Sequence, residues 1–536
     1  MSEDRSDSGL NLTGLPALPA GWCWVRLSAI AKIDGGITKD QNRHRTSTMR
    51  EVPYLRVANV QRGYLDLHEI KTIFADASEV EGLRLQKGDI LFTEGGDRDK
   101  LGRGWVWNEE IEDCIHQNHI FRARPIQSIA ESKFISFHGN FFGQKWFVRT
   151  GKQTTNLASI NKGVLSRFPV PLAPLNEQGR IVAKIEELFS GLDAGVAALK
   201  RAKANLKRYR AAVLKAAVEG KLTEEWRVKH PNTEPASKLL ARILTERRKK
   251  WEADQLAKFA AAEKGPPKNW KAKYIEPMSA DTTGRPQIPD GWCWASVEQV
   301  TSLVTKGSSP GWQGFEYCAE GVPFVRSQNV RWGALELDDL VYLPKTFNDL
   351  HQNSIVRAGD VLLNLVGASI GRAAVATEAI DGANSNQAVG IIRLIPGSFS
   401  SRLFVHVLLS PVLQSYIAKT KADVARANFN LDDIRPTPIP LPPSDEQEII
   451  ETEVAERLSQ IEAAKDAIDH DLLRAARLRQ SILKQAFEGK LVPQDPNDEP
   501  ASVLLERLRS SRSAHEGNGK PEAPARTRGR KKKARA

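Results

Sequence analysis

The proline-rich segment Phe168-Pro169-Val170-Pro171-Leu172, followed by Glu177-Gln178, marks a change from short apolar runs to a helical period. The same arrangement returns 269 residues later as Thr437-Pro438-Ile439-Pro440-Leu441 with Glu446-Gln447. Because proline fixes its own φ and lacks an N–H, such a cluster terminates the preceding element, and a new helix begins after it. Two hinges of this kind, each leading into a long helix, predict a chain built from two copies of one unit.

Other landmarks recur in the same order at offsets close to 270, which indicates an internal duplication. Between them, the stretches from about residue 32 to 161 and from 304 to 433 differ widely, so the copies share a frame and not its contents. The remaining shared motifs, each given with its copy, are Gly21-Trp22-Cys23-Trp24 and Gly291-Trp292-Cys293-Trp294, Val52-Pro53-Tyr54-Leu55-Arg56 and Val322-Pro323-Phe324-Val325-Arg326, Asn59-Val60 and Asn329-Val330, Lys87-Gly88-Asp89-Ile90-Leu91 and Ala358-Gly359-Asp360-Val361-Leu362, Glu219-Gly220-Lys221-Leu222 and Glu488-Gly489-Lys490-Leu491, and Glu234-Pro235-Ala236-Ser237 and Glu499-Pro500-Ala501-Ser502.

The first long helix is predicted to run from Asn176, a good N-cap, to Val218, and Ser444 with Gln447 fits a capping box for the second. At ~1.5 Å per residue the first helix measures about 65 Å. Steps of three and four separate its apolar residues, which is a heptad pattern, and the copy keeps most of it. We therefore expect the two helices to pair as an antiparallel coiled coil about a pseudo-twofold axis. The first seam contains Ile181, Ile185, Leu188, Leu192, Leu199, Ala202, Leu206, Tyr209 and Val213, and the second contains Ile450, Val454, Ile461, Ala464, Ile468, Ala475, Leu478 and Ile482.

Each helix follows a head of mixed composition. The short apolar runs 89–92, 361–366 and 389–394 lie between Gly, Asn and Asp residues and predict strands. Residues 132–150 and 404–420 have a helical pattern. The predicted fold class is α+β, with mixed α/β heads separated by long helices. A further helical stretch runs from about Pro235 to Lys264, whereas its copy after Glu499 fades by about Ser511.

The composition is that of a globular protein, with 41% hydrophobic and 26% charged residues and no apolar run long enough for a membrane span. Residues 1–10 contain no apolar signal segment. The four cysteines are far apart and predict neither disulfides nor a zinc site. Together these features favour a cytoplasmic protein without a membrane partner.

Half of the net charge of +12 lies near the end of the sequence, where residues 521–536 contain seven Lys or Arg and one Glu. The rest is only mildly basic. We interpret residues 511–536 as a disordered basic tail with loose affinity for polyanions. The first long helix is also basic, with eight Lys or Arg against one Glu between residues 196 and 221.

The sequence contains no recognisable catalytic motif. The segment Leu441-Pro442-Pro443-Ser444 lacks the polar and aromatic residues of an amino-methylation motif, and no Gly-Lys pair continues into a phosphate-binding loop. His116 and His119 have no partners at metal-ligand spacing. We expect no catalytic residue, cofactor or metal in this chain.

The ordered landmarks resemble those of the specificity subunits of type I restriction-modification enzymes. The resemblance rests on the Gly-Trp-x-Trp start of each head, the Val-Pro-Tyr-Leu-Arg and Lys-Gly-Asp-Ile-Leu motifs with their copies, Gln117-Asn118 and Asn386-Gln387, and the proline hinge before each helix. It implies two target-recognition domains that each read half of a split site in double-stranded DNA. It also implies helical regions that bind two methyltransferase subunits, and an adenine-methylating complex that cleaves unmethylated DNA when restriction subunits join.

On this interpretation residues 15–172 and 285–440 are the first and second target-recognition domains, and residues 173–268 and 441–510 are the helical regions. DNA contacts are expected in the divergent polar loops, because base edges and phosphates are bound by forked polar and cationic side chains. The candidates in the first head are Gln41, Asn42, Arg43, Arg45, Arg98, Lys100, Arg103, Lys152, Gln153, Thr154 and Asn156. Those in the second head are Lys306, Ser308, Gln313, Ser369, Arg372, Arg426, Asn428 and Asn430.

Within these sets, the loops at Gly151 and Arg426 are predicted to be equivalent, with Asn430 matching Asn156. Arg56 and Arg326 could equally be structural. Two other interpretations stay open at this point: a fused restriction enzyme, which would be active alone, and a coiled-coil adaptor that binds no DNA.

Overall fold

The computed structural model describes residues 14–38, 48–96, 100–153, 158–423 and 428–517. The chain forms two compact units, one made of residues 1–199 with 470–536 and the other of residues 200–469. Each unit contains one head and parts of both long helices. The α+β class is confirmed.

The first head alternates short strands with short helices and lies wholly in the first unit. Its elements are β1 Cys23–Arg26, α1 Leu27–Ile30, β2 Ala31–Gly35, β3 Arg50–Leu55, β4 Val60–Gln61, β5 Tyr64–Leu65, β6 Lys71–Ala75, α2 Ala77–Leu83, β7 Ile90–Thr93, β8 Gly95–Gly96, β9 Gly104–Val106, β10 Ile115–His116, β11 Ile120–Pro125, α3 Ser132–Phe141, α4 Gly143–Thr150, β12 Lys152–Gln153, β13 Ala158–Ser159, α5 Lys162–Ser166 and β14 Pro169–Leu172.

Three helices follow the first head: α6 Leu175–Val218, α7 Glu224–Lys229 and α8 Ala236–Ala261. The second head and the last two helices come next. Their elements are β15 Cys293–Ser296, α9 Val297–Val300, β16 Thr301–Lys306, β17 Val322–Val325, β18 Val341–Leu343, α10 Thr346–Leu350, β19 Val361–Asn364, β20 Ala373–Val375, β21 Asn384–Ser385, β22 Val389–Leu394, α11 Ser401–Leu409, α12 Pro411–Asp423, α13 Leu431–Ile434, β23 Pro438–Leu441, α14 Ser444–Phe487 and α15 Ala501–Gly517.

The two heads have matching central sheets. The order is β2-β11-β7-β9 in the first head and β16-β22-β19-β20 in the second, and all neighbouring strands are antiparallel. All four residues of β7 and of β19 are buried, as expected for central strands with both faces covered. A parallel pair, β3-β10 or β17-β21, stands beside each central sheet. The strands predicted at 89–92, 361–366 and 389–394 are confirmed.

The first and last landmarks of each head pair with each other. Strand β1 is antiparallel to β14, with Cys23 opposite Leu172, and β15 is antiparallel to β23, with Cys293 opposite Leu441. The Gly-Trp motif and the proline hinge are therefore adjacent in space although some 150 residues separate them in sequence. This pairing explains why both motifs recur in the duplication.

The recurring tryptophan and glutamate form a buried contact in each unit. Trp22 Nε1 donates to Glu177 Oε2 at 3.0 Å, and Trp292 Nε1 donates to Glu446 Oε2 at 2.7 Å. Both carboxylates are almost completely buried. A buried indole N–H needs an acceptor, and the first turn of each long helix supplies it.

The recurring glutamine joins each long helix to its head. The backbone N–H of Glu131 donates to Gln178 Oε1 at 2.8 Å, and that of Ser400 donates to Gln447 Oε1 at 3.2 Å. These contacts lie at the starts of α3 and α11. The capping box predicted for Ser444 and Gln447 is wrong, because the Gln447 amide binds the loop before α11 instead.

The long helices are confirmed, with one difference at the start. Helix α6 begins at Leu175, so Asn176 lies in the first turn and is not the N-cap. Helices α6 and α14 both contain 44 residues. The two single helices predicted inside the heads are each divided in two, at Phe142 and at Ser410. In the second head the cause is Pro411, which has no N–H and keeps Ser410 extended.

Within each unit the long helices pair in antiparallel fashion. In the first unit Asp193 contacts Arg479, and Ile185 packs in one cluster with Ala486. In the second unit Lys203 contacts Asp469. The most deeply buried seam residues are Ile181, Ile185, Ile450 and Val454, which pack in clusters with head residues, whereas Tyr209 and Leu478 are about half exposed.

A glycine follows the end of each long helix and packs against a proline that precedes the first strand of a head. Gly220 and Gly489 adopt φ values of +68° and +65°, a left-handed conformation that favours glycine. A Cβ on Gly220 would lie 2.4 Å from Pro289 Cγ, and one on Gly489 would lie 2.3 Å from Pro19 Cγ. The glycine of the repeated Glu-Gly-Lys-Leu motif is therefore required, both by its left-handed conformation and by the lack of space for a side chain.

A further helix covers each head at equivalent positions. The N–H of Ala236 in α8 donates to Gly291 O at 2.7 Å, and the N–H of Ala501 in α15 donates to Gly21 O at 2.9 Å. Leu505 of α15 belongs to the core of the first head. The first head is thus closed by a helix from near the end of the sequence, and the second by α8.

The extent of α15 differs from the prediction. The helix runs to Gly517, beyond the fading expected near Ser511, so the boundary at 510/511 falls inside a helix. Residues 518–536, most of the predicted basic tail, lie outside the described residues. No helix in the described ranges is long and apolar enough to cross a membrane.

The buried Glu177 predicts a pH dependence. Burial raises the pKa of its carboxyl group above the usual 4.5, although the hydrogen bond from Trp22 opposes this. The folded chain therefore keeps this proton at pH values where the unfolded chain has lost it, and stability falls as the pH rises above about 4.5. Glu177→Gln keeps an acceptor for Trp22 and removes the titration. We expect its free energy of unfolding, relative to wild type, to increase from about pH 4 to about pH 7 in urea unfolding; a relative decrease would contradict this assignment.

Candidate nucleic-acid interface

Three separate segments of the first head meet at the turn Gln117–His119. The N–H of Asn118 donates to Ile37 O at 2.9 Å, and the N–H of Glu94 donates to His119 O at 2.9 Å. Ile160 N–H in turn donates to Glu94 O at 2.8 Å. Residues 36–38, 94–96, 117–119 and 158–160 together are called the first rim. It forms because β7, β11 and β13 end or begin here.

The first rim contains the described residues that flank the candidate segments of the first head in sequence. Residues 41–45 come after Ile37, residues 97–100 come after Gly96, and residues 152–156 precede Ala158. Most of the candidates themselves lie outside the described residues: Gln41, Asn42, Arg43, Arg45, Arg98, Thr154 and Asn156.

The described candidates of the first head have different surroundings. Lys152 is exposed in β12, opposite Ser159 of the first rim. Lys100 accepts a hydrogen bond from Thr93 Oγ1 through its backbone oxygen at 2.7 Å. Arg103 is half-buried and donates from Nη2 to Val57 O at 3.2 Å, which is a structural contact. Gln153 completes β12 beside Lys152.

The second head has an equivalent edge, formed at the ends of the corresponding strands β16, β19 and β22. Leu365 N–H donates to Ala388 O at 2.8 Å, and Phe429 N–H donates to Leu365 O at 2.9 Å. Ser308 N–H donates to Ser385 O at 3.0 Å. Residues 307–309, 365–367, 386–388 and 428–429 are called the second rim. A Cβ on Gly307 would lie 1.7 Å from Ser385 O, so glycine is required at this approach.

Candidates of the second head surround the second rim. Lys306 is exposed at the end of β16, and Asn428 is exposed and bridged to Val366. Ser308 and Gln313 both contact the imidazole of His351, the serine at 3.3 Å from Nδ1. The remaining described candidates are Ser369, whose Oγ donates to Val366 O at 3.2 Å, and Arg372, which is half-buried. Arg426 lies outside the described residues.

The predicted match between Asn430 and Asn156 is wrong. Asn430 is the N-cap of α13, and its counterpart is Asn161, the N-cap of α5. The offset is then 269, the same as for the proline hinge, and Asn428 is the counterpart of Ser159. Asn430 caps this helix, and its N–H donates to Asp433 Oδ2 at 2.8 Å, which fixes its backbone within the head.

Arg56 and Arg326, which the sequence left undecided, also belong to the frame. The N–H of Arg56 donates to Asn59 Oδ1 at 2.9 Å, and that of Arg326 donates to Asn329 Oδ1 at 2.8 Å. Both asparagines are buried. Each arginine side chain also contacts an acidic residue further along its head. These contacts fix a turn beside the parallel strand pair.

Trp312 was not singled out from the sequence, yet it is the most exposed large hydrophobic residue described, at 91%. It lies in a short helical turn, residues 311–313, beside Gln313. Its neighbours Gly311 and Gly314 have no side chain to pack against, and that composition is the signal that could have revealed it. An exposed indole next to a polar side chain suits stacking on a base or a sugar.

The basic half of α6 is only partly neutralised. Lys203 pairs with Asp469, and Lys215 and Lys221 pair with Glu219 at 3.6 and 2.7 Å. Lys200, Arg201, Lys207 and Arg208 are exposed on the same helix. Over the described residues, no group of three or more metal-ligating side chains comes together.

Comparisons with known proteins agree on one family. The family described as "Type I restriction modification DNA specificity domain" matches residues 19–200 and 320–475, more than half of the chain. The EcoBI specificity subunit of a type I restriction enzyme from Escherichia coli is 25% identical over 517 residues, covering 95% of this chain and 96% of that protein. The EcoKI specificity subunit from Escherichia coli K12 is 22% identical, covering 93% and 97%.

Solved structures show the same fold. A chain from a study of assembly and conformational transition in a type I restriction-modification system superposes with a TM-score of 0.61 at 18% identity, covering 89% of this chain and all of that one. The HsdS subunit from Thermoanaerobacter tengcongensis gives a TM-score of 0.50 at 18% identity, covering 89% and 99%.

Proposed function

Because the chain belongs to the family of type I restriction-modification DNA specificity subunits, the non-catalytic DNA-recognition components of these systems, we propose that each head reads one half of a bipartite, asymmetric site in double-stranded DNA. The first target-recognition domain is residues 15–172 and the second is residues 285–440. The observation that carries the proposal is that the two heads share one backbone framework, while the side chains of the first rim differ from those of the second rim.

The two rims present different chemistry from equivalent positions. Glu94 and His119 of the first rim correspond to Leu365 and Ala388 of the second, through the same backbone hydrogen bond. Lys152 is exposed beside the first rim, whereas the exposed residues beside the second are Lys306, Asn428 and Trp312. Sequence is read by side chains on base edges, so different side chains on one frame favour two different half-sites.

The long helices are proposed to fix the spacing between half-sites and to bind two methyltransferase subunits. A 44-residue helix is about 66 Å long at ~1.5 Å per residue, which exceeds the ~34 Å helical repeat of DNA. The exposed Lys200, Arg201, Lys207 and Arg208 favour additional phosphate contacts along the spacer. In the full assembly the complex methylates adenine, and with restriction subunits it cleaves unmethylated DNA in the cytoplasm.

The proposal is tested by mapping adenine methylation in a host strain with and without this gene. We expect loss of one two-part methylation motif when the gene is deleted, and its return when the gene is restored. Unchanged methylation in a strain whose methyltransferase subunits are expressed would refute the proposal. Methylation or cleavage by the purified chain alone would favour a fused enzyme instead.

A further inference from the structure

The centre of the first rim contains a carboxylate and an imidazole in direct contact. Glu94 Oε2 lies 2.5 Å from His119 Nδ1. The side chains are 30% and 55% exposed, so the contact faces solvent at the edge of the head. No sequence motif joins these two residues, which come together because β7 and β11 are neighbours in the central sheet.

The backbone holds both residues in place. Glu94 N–H donates to His119 O, and Glu94 O accepts from Ile160 N–H. Thr93 and Ile120, the adjacent residues, are opposite each other in the β7-β11 ladder and fully buried. Both side chains are therefore held on a rigid backbone at the edge of the central sheet. Such preorganisation favours specific binding, because little ordering remains to be done when the ligand arrives.

A carboxylate at this position restricts what the rim can bind. It accepts hydrogen bonds and repels phosphate, so it contributes nothing to holding the DNA backbone. In the major groove, adenine N6 and cytosine N4 are the amino groups that a carboxylate can accept from, whereas guanine O6 and thymine O4 are acceptors. A solvent-exposed contact of this kind contributes little to stability, so folding gives little reason for its presence.

We propose that Glu94 reads the amino group of one adenine or cytosine in the half-site of the first head, with His119 as the residue that positions it. This inference rests on the proposed function and names one base contact within it. The Nδ1 atom of His119 donates to Oε2, which leaves Oε1 to accept from the base. In the second rim the same two positions hold Leu365 and Ala388, so the contact is specific to the first head.

The experiment uses the full chain in complex with its methyltransferase subunits and a library of duplexes in which the half-sites are randomised. Bound duplexes are recovered and sequenced. For Glu94→Leu, which removes the acceptor and places the residue of the second rim at this position, we expect a loss of about 10- to 100-fold in discrimination at one base pair of the first half-site. The preference moves away from adenine or cytosine at that position only.

A second variant guards against misfolding. Glu94→Leu with His119→Ala places the side-chain pair of the second rim on the equivalent frame of the first, and is expected to abolish the preference at the same base pair. His119→Ala should reduce it partly, and His119→Gln, whose amide can still donate to the carboxylate, should restore most of it. A purely structural role for His119 predicts no such rescue at a single base position.

The matched control is Asp113→Asn in the same head, which removes the ion pairs of Asp113 with Arg50 and Arg84, at 2.5 and 2.8 Å. Arg50 begins β3, at the opposite end of that strand from Leu55, whose backbone oxygen accepts from Gln117 of the first rim. This variant should leave every base preference unchanged. If the wild-type complex selects no two-part site, the proposed function fails. If it does, and Glu94→Leu alters no position or alters the second half-site, the inference alone is overturned.

Discussion

Exchange of residues 15–172 for the matching segment of a relative, such as the EcoBI specificity subunit, is expected to replace one half of the recognised site and leave the other half unchanged. Specific DNA sites are typically bound about 10³- to 10⁷-fold more tightly than others. Methylation of the original site should therefore fall by at least about 10³-fold, while sites that combine the new and the old halves gain methylation. Sequencing of methylated positions measures both.

The fold makes this exchange feasible. The head begins and ends on the paired strands β1 and β14, so both junctions lie side by side, with Cys23 opposite Leu172. The helix α15 contacts the head through Gly21 and Leu505, and Gly21 belongs to the motif shared by both heads. A control exchange of residues 285–440 should alter the other half-site. A chimera in which both halves change together would contradict independent heads.

Removal of the Glu446 carboxylate is expected to destabilise the second unit far more than removal of Glu177 destabilises the first. Glu446 accepts from Trp292 Nε1, and also from Thr223 Oγ1 and Arg227 Nη1, both at 2.6 Å. Glu446→Ala leaves a partly buried guanidinium and two further donors without their acceptor. The expected cost is about 3–5 kcal/mol, the range for breaking a buried ion pair.

Glu177→Ala is the matched control, since it removes the equivalent carboxylate, which accepts from the indole N–H of Trp22 and forms no ion pair within 4.0 Å among the described residues. Loss of an acceptor for a neutral buried donor costs about 1–3 kcal/mol. Because a chain with two units need not unfold in one step, amide hydrogen exchange in peptides from each unit is the appropriate measurement. Equal loss of protection in the two variants would show that the Arg227 contact adds nothing.

The frame was predictable because its landmarks are residues with fixed tertiary partners. Trp22 and Glu177 bond to each other, Gly220 has the left-handed conformation, and Asn59 holds a turn; their copies do the same. Such residues cannot vary independently, so they recur at a constant offset. The length and pairing of the long helices follow equally from sequence, because heptad spacing survives in both copies.

Other features depended on contacts that the sequence does not display. Glu94 and His119 are 25 residues apart, and only the register of β7 against β11 brings them together. The division of the predicted head helices depends on packing around Phe142 and on the proline after Ser410. The sequence pairs Asn430 with Asn156 because both are followed by leucine. The correct counterpart is Asn161, which caps a helix as Asn430 does, and the sequence alone does not display that role.

Because α15 covers the first head but comes near the end of the sequence, the first head is completed only late in protein synthesis. The second unit is continuous, from residue 200 to 469, whereas the first is assembled from residues 1–199 and 470–536. The ribosome adds about 5–20 residues per second, so the first head emerges on the order of tens of seconds before the Ala501 and Leu505 that cover it. Throughout that interval the core of the first head lacks Ala501 and Leu505, which belong to the same hydrophobic cluster. The head made first is therefore the last to be finished, and its incomplete core is exposed to aggregation while the rest of the protein is still being translated.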